Sequence, residues 1–319
     1  MSMAESGSDP FNSGSIGFGC AYIMGGFEKK RNIKLLLSAF DCDIKYFDTA
    51  PMYGQGTSEE VVGEAFASNR HRISIATKVG IPHSTYTRKA EFLRAIATPI
   101  RRYLPKVSRG AATVLYKAGP SRPSPRNLTP LAVVRSVEDS LIRLRTDYVD
   151  LLLLHDAMLQ EVTPELIDGI SRMKSAGKVL RLGVASSVSD IDEIDRIYPN
   201  VFDVYQRAWS VMESDEDLFN NKIRIFHRSI MHSLEKLRRK MDDDRAFALR
   251  MRGATGLELT TTDEIAKVLI GAAVSVNPHG VTLFGTRRAD RVANYAKAIL
   301  SGPYVARGRA LLAAYRHGP

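Results

Sequence analysis

The chain predicts an α/β fold built as a single TIM (β/α)8 barrel. Short apolar, β-branched segments alternate with helix-patterned ones, the mark of βα units around a parallel sheet. The strand-like segments number eight, nearly all followed by a helix, which is the count of a closed barrel. A doubly wound sheet would want a glycine-rich turn after the first strand, and Gly17-Phe18-Gly19-Cys20-Ala21-Tyr22 lacks the third glycine of that turn. The 319 residues exceed the roughly 150 of an average domain, yet barrels of roughly 200 to over 400 residues form one unit.

Each element has its own signal. Residues 15–21 (SIGFGCA) are the first strand, and 29–41 follow with helical spacing. Residues 44–50 (IKYFDTA) form the second strand. The helix at 58–67 has Thr57 or Ser58 as N-cap and Glu59 and Glu60 in its first turn, where negative charge is favoured. Residues 73–79 (ISIATKV) form the third strand. A long excursion follows, with a helical piece at 89–97 and prolines at 99, 105, 120, 123, 125 and 130. The pattern resumes with a helix at 131–144, whose Val134, Val137, Leu141 and Leu144 share a face. Strand four, 149–155 (VDLLLLH), is apolar on both faces, as a buried parallel strand should be. A helix at 164–175 ends at Gly177. Strand five is 179–185 with its helix at 190–197, strand six 201–208 and strand seven 223–230. Residues 231–262 are charged and carry no clear period. A helix at 262–273, strand eight at 280–285, its helix at 289–300 and a terminal helix at 304–315 complete the reading.

Composition narrows the function classes. Hydrophobic residues make up 44%, enough for a core, so wholesale disorder is excluded. Cys20 and Cys42 cannot build a disulfide framework or a multi-cysteine zinc site, and read as ordinary thiols. No apolar run reaches the roughly 18 residues of a membrane span. Residues 1–14 read as a polar, flexible lead-in rather than a secretory signal, so a cytoplasmic protein is expected. The net charge of +10 has a local source. From Phe92 to Val137 there is no acid, while Arg94, Arg101, Arg102, Lys106, Arg109, Lys117, Arg122, Arg126 and Arg135 supply nine bases. The basicity therefore belongs to the loop after strand three. That loop could close over substrate, attract an anion, or be a solvated excursion. No nucleic-acid module is visible beside it, so no nucleic-acid partner is expected.

Barrel chemistry lies at the C-terminal strand ends. Those ends carry Asp48 on strand two with Tyr53 in its loop, Lys78 on strand three and His155 on strand four. A free tyrosine titrates near 10, too high for easy proton exchange, and a nearby ammonium lowers it. Lys78 can be that ammonium and Asp48 can fix it. His155 can orient a substrate oxygen, and Tyr53 then gives or takes the proton. The set suits protonation of a carbonyl oxygen while hydride reaches the carbon. It holds no hydride itself, so a nicotinamide cofactor is required. His83, His227 and His232 lack metal-ligand spacing, and no metal is assigned.

The stretch Phe47-Asp48-Thr49-Ala50-Pro51-Met52-Tyr53-Gly54, with Ser58-Glu59 and Gly63, resembles the aldo-keto reductase superfamily. Thr77-Lys78-Val79-Gly80 is similar to that family's lysine segment, and Leu151-Leu152-Leu153-Leu154-His155 to its histidine strand. The resemblance runs from about Gly17 to Ala298. It implies a TIM barrel using NADP(H), less often NAD(H), without metal, and a catalytic tetrad of Asp48, Tyr53, Lys78 and His155. Gly285-Thr286-Arg287-Arg288, with Arg291 and Asn294, resembles the segment that holds the adenosine phosphate and adenine. Guanidinium groups at a helix N-terminus suit a 2′-phosphate, and a basic first turn is awkward without an anion, so NADP(H) is preferred over NAD(H). Ser186 and Gln206 resemble the positions that hold the nicotinamide carboxamide, though Asn is common at the first. Ser229 resembles a phosphate contact. Where many members stack an aromatic on nicotinamide, this chain has Arg228, with Phe226 two residues earlier.

The leading function is reduction of an aldehyde or ketone, a sugar included, or the reverse oxidation of the alcohol. A nucleotide-binding regulatory subunit resembling potassium-channel β subunits is the alternative. A third reading makes Lys78 a Schiff-base lysine of a lyase or aldolase. The partner is a small-molecule substrate. Its identity, the direction in the cell and the oligomeric state are not encoded legibly, because loops shape the pocket.

Overall fold

A computed structural model describes residues 15–82, 126–213, 219 and 221–316. Eight parallel strands pair in sequence order and close into a barrel: β1 (Ser15–Gly19), β2 (Tyr46–Asp48), β3 (Ser74–Val79), β4 (Val149–His155), β5 (Val179–Ala185), β6 (Val204–Ala208), β7 (Ile223–His227) and β8 (Val281–Phe284). Closure runs through Ser15↔Val281 to Phe18↔Phe284. Around it lie α1 (Lys29–Asp41), α2 (Ser58–Phe66), α3 (Pro130–Leu144), α4 (Pro164–Ser175), α5 (Val188–Ile197), α6 (Met231–Asp243), α7 (Arg245–Thr255), α8 (Thr262–Ser275), α9 (Ala289–Leu300) and α10 (Pro303–Arg316). The expected barrel is therefore present. The helix expected at 89–97, and most of the basic excursion, lie outside the described residues. The stretch 231–262 holds α6 and α7, joined at Asp244, whose carboxylate caps α7 by accepting from the Phe247 N–H.

The strands obey the period-two rule, which separates two environments. Tyr46, Ala76, Leu151, Leu153, Ala185, Val204, Ile225, Val281 and Leu283 fill the barrel interior. Their sequence neighbours Phe47, Ile75, Leu152, Leu154, Val184, Tyr205 and Phe284 face outward and pack under the helices. The helix-facing core is itself divided. One body covers most of the wall. A second gathers Trp209, Phe226, Leu237, Phe247, Met251, Leu269 and Leu311 beneath α6, α7, α8 and α10. Helix α8 contributes to both: Ala266, Ile270 and Val274 to the first, Ile265, Leu269 and Ala273 to the second. That is why its sequence is apolar nearly all round. Close approach of α10 onto α8 demands glycine: a Cβ on Gly271 would lie 1.9 Å from the Tyr304 carbonyl oxygen, and one on Gly308 2.1 Å from the Ala272 nitrogen.

The face opposite the strand C-termini is tied by ionic links. Arg70 donates to the Ile73 and Tyr148 carbonyls, to the Thr146 hydroxyl, and to Asp150 at 2.7 Å. Asp150 also accepts from the Ile75 N–H, so one carboxylate joins the starts of β3 and β4. Glu59 stands in the first turn of α2, as the sequence indicates, and is also buried. It accepts from the Thr77 hydroxyl at 2.5 Å and from Arg143 at 2.7 Å, joining α2, β3 and α3. Thr57 is the N-cap residue of α2, as expected, but its side chain makes no capping hydrogen bond. The Thr57 hydroxyl donates to the Gly54 carbonyl and accepts from the Gly25 N–H, while Ser58 donates to the Cys20 carbonyl. These two hydroxyls stitch the loops after β1 and β2 together rather than capping a helix.

Candidate active site

The interior parity carries one step beyond the barrel core at six of the strands. Above Tyr46 comes Asp48, above Ala76 Lys78, above Leu153 His155, above Val204 Gln206, above Ile225 His227, and above Leu283 Gly285. The expected acid, amine and imidazole thus occupy one layer at the C-terminal mouth. Tyr53 reaches it from a short turn after β2. That turn needs Gly54, which has φ +53°, and whose Cβ would lie 1.8 Å from the Ile23 carbonyl oxygen.

The layer is connected. Lys78 Nζ donates to Asp48 Oδ1 at 2.5 Å and to the Thr49 carbonyl at 3.0 Å. Both charged side chains are almost wholly buried, so their attraction must offset the loss of hydration. Lys78 Nζ lies 4.6 Å from the centre of the Tyr53 ring. Tyr53 and His155 meet edge to face, ring centres 6.0 Å apart and planes at 87°. Asp48 Oδ2 accepts from Gln206 Nε2 at 2.8 Å.

Electrostatics follow from burial and these contacts. Burial pushes the Lys78 ammonium down, but Asp48 and Tyr53 outweigh it and hold Lys78 above the ordinary lysine range. Burial raises the Tyr53 phenol and Lys78 opposes it, with the net direction upward. The sequence expectation of a lowered phenol is therefore corrected. The ammonium does pull it down, but removal of the ring from water is the larger effect. His155 falls to about 3, through burial and then the Lys78 charge, with His227 and Arg228 adding to it. His227 also falls to about 3, from burial, Arg228 and Lys78. Both imidazoles are neutral at working pH, each with one donor and one acceptor nitrogen.

The residues expected at the cofactor end are placed as follows. Ser186 has its hydroxyl 3.0 Å from both the Ala157 carbonyl and Asp190 Oδ2, at the end of β5. Gln206, as described, is turned onto Asp48. Ser229 is 1% exposed, just ahead of α6, and its hydroxyl has no hydrogen-bond partner among the described residues. Gly285, Thr286, Arg287, Arg288, Arg291 and Asn294 lie together at the end of β8 and the start of α9. The Thr286 hydroxyl accepts from the Arg288 N–H, and Asn294 is exposed. The arginines are not uncompensated. Arg287 pairs with Glu28 at 3.3 Å, Arg288 grips Asp290, and Arg291 meets Asp263 at 3.0 Å. The awkward basic turn read from the sequence is thus neutralised by carboxylates, two of them distant in the chain. Phe226 is no stacking surface. It is buried, parallel to Trp209 at 5.9 Å, beneath the Arg207 guanidinium. Among the described residues no His, Cys, Asp and Glu side chains gather as a metal-ligand set, and no helix is long and apolar enough to cross a membrane.

Residues 14–229 match the model of the aldo/keto reductase family. The chain belongs to that family. Among similar proteins, the uncharacterized oxidoreductase YqkF of Bacillus subtilis (strain 168) is 26% identical over 212 residues, 66% of this chain and 54% of its own length. The NADH-specific methylglyoxal reductase of Escherichia coli (strain K12) is 28% identical over 207 residues, 62% of this chain and 54% of its own length. The chain thus spans about half the length of the curated relatives it matches. Among solved structures, the holo form of aldo-keto reductase AKR11C1 from Bacillus halodurans superposes with a TM-score of 0.66 at 18% identity, over 93% of this chain and 90% of that one. An aldo-keto reductase from Klebsiella pneumoniae in complex with NADPH gives 0.60 at 21%, over 89% and 85%. At those identities the likeness is one of fold.

For this aldo/keto reductase family member, the sequence reading gave no role to one member of the mouth layer, His227. His227 was read in mid-strand, because strand seven was extended to residue 230. The chain leaves the strand at Arg228, whose φ is +58°, a conformation that an arginine does not advertise. The signal available was the parity itself: Ile223, Ile225 and His227 alternate onto one face. Gln206 was noticed for a different partner than Asp48.

Proposed function

We propose that this family member is an NADP(H)-dependent oxidoreductase, able to accept NAD(H), that interconverts an aldehyde or ketone with its alcohol. A sugar is among the candidate substrates. The observation that carries the reading is the buried Asp48–Lys78 pair lying against the Tyr53 ring, with neutral His155 edge to face with that ring. A dinucleotide, when bound, supplies or accepts a hydride at the carbonyl carbon. The chain's residues handle the oxygen. Tyr53, held protonated by its raised pKa, gives its proton to the carbonyl oxygen, and Lys78 stabilises the phenolate that results. Asp48 keeps Lys78 charged and in place. His155 donates a hydrogen bond that orients the oxygen. In the reverse direction Tyr53 accepts the alcohol proton.

A phosphate-bearing dinucleotide fits the residues present. The buried Ser229 hydroxyl ahead of α6, without a partner among the described residues, suits a phosphate oxygen. Arg287, Arg288 and Arg291 would hold a 2′-phosphate by exchanging their carboxylates. Exposed ion pairs are worth at most about 1 kcal/mol, so the exchange is easy. Ser186 and Gln206 would meet the carboxamide, Gln206 by sharing its amide with Asp48. The NADPH complex of the Klebsiella protein supports the first cofactor, and the name of the Escherichia coli relative supports the second. A Schiff-base role needs a neutral amine, whereas Lys78 is held as an ammonium by Asp48.

The test is calorimetric titration with NADPH and with NADH, on wild type and on an Arg287→Ala/Arg288→Ala/Arg291→Ala variant. Tighter NADPH binding that loses its advantage in the variant is the expected result. Binding of neither nucleotide removes the hydride-transfer reading.

A further inference from the structure

His227 is the one titratable member of the mouth layer to which the proposed chemistry gives no task. Its place follows from the barrel. Ile225 is an interior residue, and His227, two positions on, lies on the same face at the top of β7. The same step puts His155 above Leu153 on β4. The strand is held there, because the His227 carbonyl accepts from the Trp209 N–H at 3.0 Å. The imidazole is partly buried, and its ring nitrogens have no hydrogen-bond partner among the described residues. The ring is close enough to Lys78 to feel its charge, and close enough to His155 to act on it in turn. It therefore belongs to the same mouth layer as Asp48, Lys78 and His155.

We propose that His227 is a specificity-determining residue that hydrogen-bonds a second oxygen of the substrate, a hydroxyl on the carbon next to the carbonyl. This rests on the oxidoreductase reading given above. A hydroxyl is both donor and acceptor, and a neutral imidazole offers one of each. A carboxylate could use only the donor side and would leave the other nitrogen facing a negative charge. The favoured substrates are accordingly α-hydroxy aldehydes and ketones. Buried polar atoms left without a partner are costly, so a substrate lacking that hydroxyl is disfavoured by the same group.

The measurement is kcat/KM for glyceraldehyde and for propanal, which share a three-carbon aldehyde skeleton, with NADPH and with NADH. It is made on wild type, His227→Ala, His227→Leu and His227→Asn. The ratio of glyceraldehyde to propanal should fall about tenfold in the alanine and leucine variants, the worth of one hydrogen bond to a neutral partner. His227→Asn, which keeps a donor and an acceptor, should recover part of it. Leucine fills the imidazole's space, so it reads the ratio even if alanine prevents folding. A ratio unchanged in both variants, whatever the absolute rates, overturns the role of His227 alone. Wild-type protein that turns over neither aldehyde overturns the oxidoreductase reading, and the role of His227 with it.

Discussion

The Lys78 ammonium is enclosed by Asp48, the Thr49 carbonyl and the Tyr53 ring, so each neighbour has a separable effect. Tyr53→Phe keeps the ring against Lys78 and removes only the hydroxyl. It should lower kcat about 100- to 10,000-fold while calorimetric nucleotide affinity stays near wild type. Equal loss of both would mean that the residue holds the nucleotide rather than the proton. Asp48→Asn leaves a buried ammonium with no counter-charge. Its cost should be about 3–5 kcal/mol in urea unfolding, larger than any surface pair on this molecule would give. Asp48, Tyr53, Lys78 and His155 were legible because strand ends are where barrels place chemistry, and acid, phenol, amine and imidazole types stand out there. Glu59 was not. A carboxylate at a helix start has an ordinary explanation, and its real partner, Arg143, is 84 residues away.

Elements were legible where periodicity is strong and both ends are marked. Strand β4 and helices α1, α4 and α9 have the bounds that the pattern predicted. Strands β1, β2, β7 and β8 end earlier than predicted, while β2, β3, β6 and β8 begin later. Apolar character continues beyond the last ladder hydrogen bond, since loop residues at the mouth are buried too, as Cys20, Thr49 and Ala50 are. Helices α6 and α7 escaped because charged side chains dominate their outer faces, and the break between them is a single aspartate. The α8–α10 contact gives a test at this scale. Gly271→Ala must push Tyr304 away and should destabilise the fold by about 1–3 kcal/mol. The same substitution at Gly253, whose Cβ would meet nothing within 4 Å, should be neutral or stabilising, because alanine favours a helix. Thermal unfolding of the two variants compares them directly, and equal midpoints would deny the tight crossing.

At the scale of the whole molecule, the two neutral imidazoles make stability depend on acid. Each titrates at 6.5 when free and at about 3 in the folded chain. Between those values the unfolded chain binds protons that the folded chain refuses. Stability should thus fall as pH drops from 6.5 toward 3, with no contribution from these groups above 6.5. A His155→Gln/His227→Gln variant should show a flatter urea midpoint over that range. An unchanged slope would mean that other groups govern it. The division of the wall into two apolar bodies with α8 common to both has its own consequence, in the order in which the molecule opens. If either body loosens locally, α8 still lies against the other, so its backbone amides stay closed until both have let go. In deuterated water the α8 amides should be the last of the wall helices to exchange, at the rate of global unfolding. Those of α6 and α7 should exchange earlier, together.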